Sequence, residues 1–236
     1  MSKEKVQYLE SISLDEINRD KCYFNPGCAL TLHNKEAVDK MLLILNKYFG
    51  PVKLHSICCH NDPGLPKGST IINNCAGCDR RFRSLYEGIN TISLWEVLDQ
   101  IEDLELPQYE DLTVSVHDSC SYRLKPQVHS SLRSLLRKMN ISIEESEFSG
   151  TNSICCGDNL FGKFPLEQVR EFQKRRADQM PCDDVVVYCV SCIKSMTYGG
   201  KKPRYMMDLV LNEKTYAKEM DLEKYHNEIM EYIKNH

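Results

Sequence analysis

Ten of this chain's 12 cysteines fall into a pattern that ordinary core packing does not require. Cys28 is followed by the adjacent pair Cys58 and Cys59, then by Cys75 and Cys78 in a CxxC spacing; further on come Cys120, the adjacent pair Cys155 and Cys156, and the spaced pair Cys189 and Cys192. Thiolates at this density serve soft metals: zinc, copper(I) or iron–sulfur clusters. A structural zinc site closes with four ligands, and an ordinary cubane or two-iron cluster also takes four cysteines, so five per group means a spare thiol or an unusual cluster. Adjacent cysteines sharpen the choice. Neighbouring side chains diverge, which suits two irons of a larger cluster better than two corners of one tetrahedron; the alternative is a vicinal disulfide, whose ring is strained. Cys22 and Cys182 stand alone and read as small buried hydrophobes.

With 42% hydrophobic residues in 236, the chain is long enough to bury one substantial core or two small packed halves. Its cysteine content lies below that of a disulfide scaffold yet is high for a cytosolic protein, which again points to metal. The opening MSKEKVQYLESISLDE lacks the apolar stretch of a signal peptide, and no run approaches the roughly 18 apolar residues of a membrane span. A cytoplasmic location without a membrane span is therefore expected. Lys and Arg number 30 against 34 Asp and Glu, a net charge of -4 with neither sign gathered into a long run, which argues against nucleic acid as the main partner.

The cysteine pattern occurs twice in the same order, and both adjacent pairs sit in the same tetrapeptide, Ser56-Ile57-Cys58-Cys59 and Ser153-Ile154-Cys155-Cys156. This is an internal duplication. Short β-branched runs lead into cysteine loops: Thr113–Val116 before Cys120, Val185–Tyr188 before Cys189. Amphipathic helices follow. Asn34 caps one with Val38, Met41, Leu42, Leu45 and Phe49 in a stripe ended by Gly50 and Pro51, and Val128, Leu132, Leu135, Leu136 and Met139 form another after Cys120. The expected fold is α/β, two duplicated units related by a pseudo-two-fold with mostly parallel strands, whose carboxyl-end loops carry the cysteines. Between the adjacent cysteines and the spaced pair lie 15 residues in the first copy (Cys59 to Cys75) and 32 in the second (Cys156 to Cys189). Residues 165–180 fill that difference with a predicted helix, Pro165 at its first position and Leu166, Val169, Phe172 and Met180 at helical spacing; the first copy has only HNDPGLPKGST there. The shorter loop predicts a first site less covered than the second. Residues 213–236, with sparse apolar positions at Tyr216, Met220, Tyr225 and Ile229, predict a surface helix.

These motifs resemble the duplicated cysteine-rich CCG domain found in the disulfide-reducing subunit of heterodisulfide reductase. Cys155-Cys156-Gly157 is the eponymous triplet, and YFNPGC ending at Cys28 and HDSC ending at Cys120 are similar to the sequences before the first cysteine of each family repeat. The resemblance covers about residues 20–212, dividing the chain into repeats over 20–105 and 111–212 and the C-terminal helix over 213–236. It implies a noncubane 4Fe-4S cluster, in which two smaller clusters share an iron, on each set of five. Cys28, Cys58, Cys59, Cys75 and Cys78 would hold one, and Cys120, Cys155, Cys156, Cys189 and Cys192 the other. The first copy departs from the pattern at His60, which stands where the triplet's glycine would be, so a cubane cluster or zinc also fits that half.

On the resemblance the chain is an iron–sulfur oxidoreductase subunit that cleaves a disulfide at two facing clusters, with a small thiol or disulfide as substrate. The rivals are an electron-relay subunit of a flavin-dependent hydroxyacid or succinate dehydrogenase, and a zinc-stabilised interaction module. The chain has neither a ferredoxin-type cysteine run nor a G-x-G-x-x-G fingerprint, so a ferredoxin-type or flavoprotein partner is expected to supply electrons. His60 and His117 adjoin ligand positions and are the candidate proton donors. Arg80, Arg81, Arg83, Lys194, Lys201, Lys202 and Arg204 follow the spaced pairs and could hold an anionic substrate or offset cluster charge. Gly157, Gly162, Gly199 and Gly200 are the expected points of tight turning or close backbone approach to a cluster.

Overall fold

The structure, a computed structural model, describes residues 8–217 and 221–236; Met220 and the first seven residues lie outside them. The chain enters β1 (Cys22–Asn25), turns into α1 (Cys28–His33) and α2 (Lys35–Phe49), and continues through β2 (Lys53–Leu54), β3 (Ser69–Asn73), α3 (Ala76–Leu85), β4 (Ile89–Ser93) and α4 (Leu94–Asp99). The second half follows as β5 (Thr113–His117), α5 (Pro126–Lys138), β6 (Ser142–Ile143), α6 (Leu166–Asp178), β7 (Asp184–Val187), α7 (Val190–Tyr198), β8 (Lys202–Tyr205) and α8 (Met206–Val210), and α9 (Leu222–Asn235) closes the chain. The two four-stranded sheets are parallel throughout and have the same order, β2-β1-β3-β4 and β6-β5-β7-β8. The fold is α/β, and the duplication read from the cysteines is a duplication of topology.

Local signals explain most elements. Asn34 caps α2 by accepting from the Ala37 amide at 3.0 Å, and Gly50 ends that helix with φ 81°. Residues Val185, Val186 and Val187 are all buried, as parallel strands covered on both faces require. Strands β1, β3, β5 and β7 end beside Cys28, Cys75, Cys120 and Cys189, so the carboxyl edges of the sheets carry the cysteine loops.

The halves share one hydrophobic core that runs from Phe24 and Trp95 to Leu132 and Val186. Polar contacts cross the same boundary. Lys125, just before α5, is buried and reaches Glu96 Oε2 at 2.9 Å and Asp79 Oδ2 at 3.7 Å in the first half. Ser11, ahead of β1, also donates to Glu96.

Two sequence expectations need correction. In and just after α6 the apolar stripe is only part of the inner face: Val169 and Met180 are buried as expected, but Leu166 is exposed and Phe172 half-buried, whereas Gln173 and Arg176 are buried with Ala177, and Pro165 stands at the cap rather than in the first turn. The C-terminal helix begins at Leu222 rather than at 213; it is exposed along much of its length, as expected of a surface helix, and buries Leu222 and Tyr225.

Candidate metal centre

Each spaced pair opens a helix. Cys75 and Cys189 are the N-cap residues of α3 and α7, and Cys78 and Cys192 follow one turn later on the same face. The first cysteine loop is laid against this turn by Gly27, which has φ 78°; a Cβ there would come within 2.7 Å of Cys75 Cβ and 3.5 Å of Cys78 Sγ. The close approach expected of a glycine is therefore made at Gly27. Gly199 serves a different contact, since its Cβ would lie 2.2 Å from Ala177 Cβ where α6 meets α7.

The structure brings the ten sequence-predicted cysteines into two sets of five. In the first, Cys28 and Cys59 donate to Cys58, and the single S–H of Cys78 is shared between Cys59 and Cys75. In the second, Cys120 and Cys156 donate to Cys155, and the single S–H of Cys192 is shared between Cys156 and Cys189. The order of contact is the same in both. All are free thiols, so neither adjacent pair is a disulfide. Hydrogen bonds from neighbouring thiols pull Cys58 and Cys155 far down, while the donors Cys28 and Cys120 are pushed far up by those same bonds and by burial. Cys75 is lowered to about 7 by Cys78 and by the amides that open α3. Cys22 and Cys182 take part in neither set; Cys22 is buried, and burial raises it to about 11.

The missing glycine has a structural reason. In both sets the amide two residues after the first adjacent cysteine donates to its sulfur, from Gly157 to Cys155 and from His60 to Cys58. Gly157 has φ 100°, and a Cβ there would lie 3.1 Å from Gln173 Cγ on α6. The first half has no such helix among the described residues, so a side chain at position 60 meets no wall, and His60 is exposed.

His117 is placed quite differently. It is buried at the end of β5, and a ring nitrogen lies within 4.8 Å of Cys156 and Cys192 Sγ. Arg176 Nε donates to its Nδ1 at 3.2 Å, and its Nε2 has no partner. Burial, then the Arg176 charge, lowers His117 to about 3, so it is neutral. Sequence reasoning missed His55, the first half's buried histidine, which has an unpartnered Nε2 and lines a narrow cavity with Cys58, Cys59 and Cys78. It also missed Arg176. A charged residue inside an amphipathic pattern gives no signal of burial, and a histidine three residues before Cys58 does not stand out.

Most of the basic residues expected near the sites are engaged elsewhere. Arg83 pairs with Asp79, Arg204 with Asp184, and Lys201 reaches the Met180 carbonyl, while Arg80 and Lys202 are exposed. Arg81 Nε donates to the Cys59 carbonyl at 3.1 Å. Lys194 is buried over the Tyr225 ring, 4.1 Å from its centroid.

The two sets border the boundary between the halves. α1 packs on α7, and the turn at Cys120–Tyr122 packs on α3. Tyr205 is fully buried in that boundary, which pushes its hydroxyl well above the usual phenol range, and accepts from Asn74 Nδ2 at 3.0 Å. The expectation of a less covered first site is overturned: Cys58, Cys59 and Cys78 are as buried as Cys156 and Cys192. The end of α9 supplies the cover, with the His236 carbonyl accepting from the Cys58 amide at 3.1 Å, Tyr232 donating to the Ser56 carbonyl, and the Ile233 carbonyl accepting from Asn61.

Residues 114–197 match the CCG cysteine-rich domain. The match falls within the second half, over most of β5, all of β7 and most of α7, and Cys120, Cys155, Cys156, Cys189 and Cys192 all lie inside the matched span, the CCG triplet among them. None of the curated proteins matches the chain. The CCG domain and the clustered thiols point to metal or iron–sulfur binding, and no helix among the described residues is long and apolar enough to cross a membrane. The donors fit an iron–sulfur group: soft sulfur ligands on fixed loops, a glycine cradle at Gly27, and unpartnered buried Nε2 atoms at His55 and His117.

Proposed function

We propose that this chain is an iron–sulfur oxidoreductase subunit resembling the disulfide-reducing subunit of heterodisulfide reductase. In this reading the CCG repeats over 20–105 and 111–212 each hold a noncubane 4Fe-4S cluster, on the two sets of five cysteines. The observation that carries it is the identical order of thiol contact in the two sets, Cys28-Cys58-Cys59-Cys78-Cys75 and Cys120-Cys155-Cys156-Cys192-Cys189, on either side of one buried boundary. Bound clusters would supply one-electron steps to a disulfide. The chain's own residues do the rest: Tyr205 and Asn74 keep water out between the sets, and exposed His60 beside Cys59 is the side chain placed to bring a proton from solvent. A ferredoxin-type or flavoprotein partner in the cytoplasm would deliver the electrons.

An electron-relay role is favoured by one observation: the cavity at the first set is narrow and closed by Tyr232. The test is anaerobic preparation with iron, sulfide and zinc analysis, then assay with reduced methyl viologen and glutathione disulfide or cystine. Iron and sulfide with thiol release supports the reductase. Iron and sulfide with viologen oxidation by neither disulfide supports the relay, and zinc without sulfide removes both.

A further inference from the structure

Arg176 on α6 is 1% exposed and pairs with no carboxylate among the described residues. Its guanidinium donates to the Phe148 carbonyl at 2.8 Å, Gln179 Oε1 at 3.0 Å, Ser146 Oγ at 3.5 Å and His117 Nδ1 at 3.2 Å, all neutral groups. A buried cation is strongly disfavoured unless negative charge lies close by. The groups nearest to that role are Asp118 and the second cysteine set, whose Cys155 lines a cavity with Arg176 and whose Cys156 and Cys192 lie beside His117. Asp118 is already matched by Arg133 and His129, so the second sulfur set, once its thiols ligate a metal group, is where the countercharge that Arg176 lacks among the side chains would stand.

The same contact decides the histidine's tautomer. Arginine can only donate, so His117 Nδ1 is the acceptor and the proton sits on Nε2. A histidine that ligates metal donates its other N–H to an acceptor behind it; here the residue behind is itself a donor, which leaves Nε2–H, unpartnered among the described residues, available to a group held at the second sulfur set. The Cys156, Cys192 and His117 grouping therefore has the composition of a metal site without the protonation state of one. The first half also sets a buried histidine with an unpartnered Nε2, His55, beside its sulfur set, but among the described residues no buried cation stands behind it. Asn25 occupies the position of His117 and pairs with Asn73, and Arg81 is partly exposed and so screened by water.

We infer that Arg176 holds His117 as a neutral Nε2–H donor to the second sulfur set, and that this buried cation–imidazole pair raises the reduction potential of that site. The inference rests on the iron–sulfur reading above. Positive charge and N–H donation both favour the more negative, reduced state of a sulfur-ligated cluster, so Arg176 and His117 are positioning residues that bias electrons toward the second half.

The experiment uses the full chain, prepared without oxygen, as wild type, Arg176→Met, Arg176→Lys, His117→Leu and His117→Gln. Iron and sulfide are measured, and the midpoint potentials are followed by EPR. Arg176→Met and His117→Leu are expected to keep their iron and to move one midpoint down by at least tenfold in the one-electron equilibrium, about 59 mV, with the other midpoint fixed. Arg176→Lys keeps the charge and His117→Gln keeps an N–H donor, so each moves the midpoint less than half as far. Should Arg176→Met fail to fold, His117→Leu decides alone. Iron retained with both midpoints unmoved overturns the inference and leaves the proposed function standing, whereas wild type without iron or sulfide overturns both. Directly ligated imidazole, read as strong 15N-histidine coupling in the EPR of labelled wild type, overturns the donor assignment.

Discussion

Between its adjacent cysteines and its CxxC turn the second half inserts α6, where the first half has only a short irregular loop, and that difference propagates through both sites. In the second half, α6 presses on Gly157, places Gln173 and Arg176 inside, and sets a cation behind His117. In the first half, His60 takes the glycine's place, Asn25 takes the histidine's, and the wall comes from α9 at the far end of the chain. The same thiol order can thus be held by a local helix or by a remote one. The order of the cysteines is duplicated and the electrostatics around them is not.

The largest effect that would break this comparison is loss of one site alone. Cys58→Ser and Cys155→Ser remove corresponding thiols, each the acceptor of two others, and each variant is expected to lose about half of the bound iron while the other site keeps its spectrum. Loss of all iron from either variant would show that the halves bind as one unit.

Next comes the loop that carries Cys120. Asp118 is fully buried; burial opposes its charge, but hydrogen bonds from His129 and Arg133 outweigh this and hold its carboxyl well below the usual range. Pro26 stands at the corresponding place in the first half and can do none of this. Asp118→Asn leaves Arg133 with only the more exposed Glu145 as its anionic partner and is expected to cost about 2–3 kcal/mol in denaturant unfolding. Because the folded value is depressed, the stability is complete above the unfolded carboxyl's value near 3.9 and is lost as pH falls through the folded one. Acid unfolding of the wild type should accordingly steepen below about pH 4, and Asp118→Asn should flatten it.

Removing residues 230–236 tests the remote wall. The cut takes away Tyr232 and the His236 carbonyl but leaves Tyr225 in contact with Ser191. Timed air exposure should then bleach the first site several-fold faster than in the full chain and the second at its original rate. Equal acceleration at both would mean that α9 serves the molecule as a whole.

The smallest expected effect lies at the helices after the first cysteines. α2 has a side-chain cap from Asn34, while α5 begins at Pro126 with buried Lys125 in the cap position. Asn34→Ala should cost about 1 kcal/mol, measured by chemical denaturation, without altering either site's spectrum.

Sequence by itself determined the duplication, the parallel α/β class and the membership of the two cysteine sets, because each depends on local spacing: a strand of β-branched residues, a CxxC turn opening a helix, a capped amphipathic stripe from Asn34 to Gly50. It also placed α6 and, with Val169 and Met180, half of the face turned inward, but apolar periodicity names Leu166 and Phe172 as well, where the fold buries Gln173 and Arg176 instead. What covers the first set was decided only by tertiary structure, because α9 and Cys58 are more than 160 residues apart and nothing local in either segment encodes their meeting. The same holds for Lys125, whose charge reads as solvated until the other half brings Glu96 and Asp79 to it. Spacing along a chain sets which ligands come together; burial, and the charges that long-range packing places behind those ligands, set what each site can do.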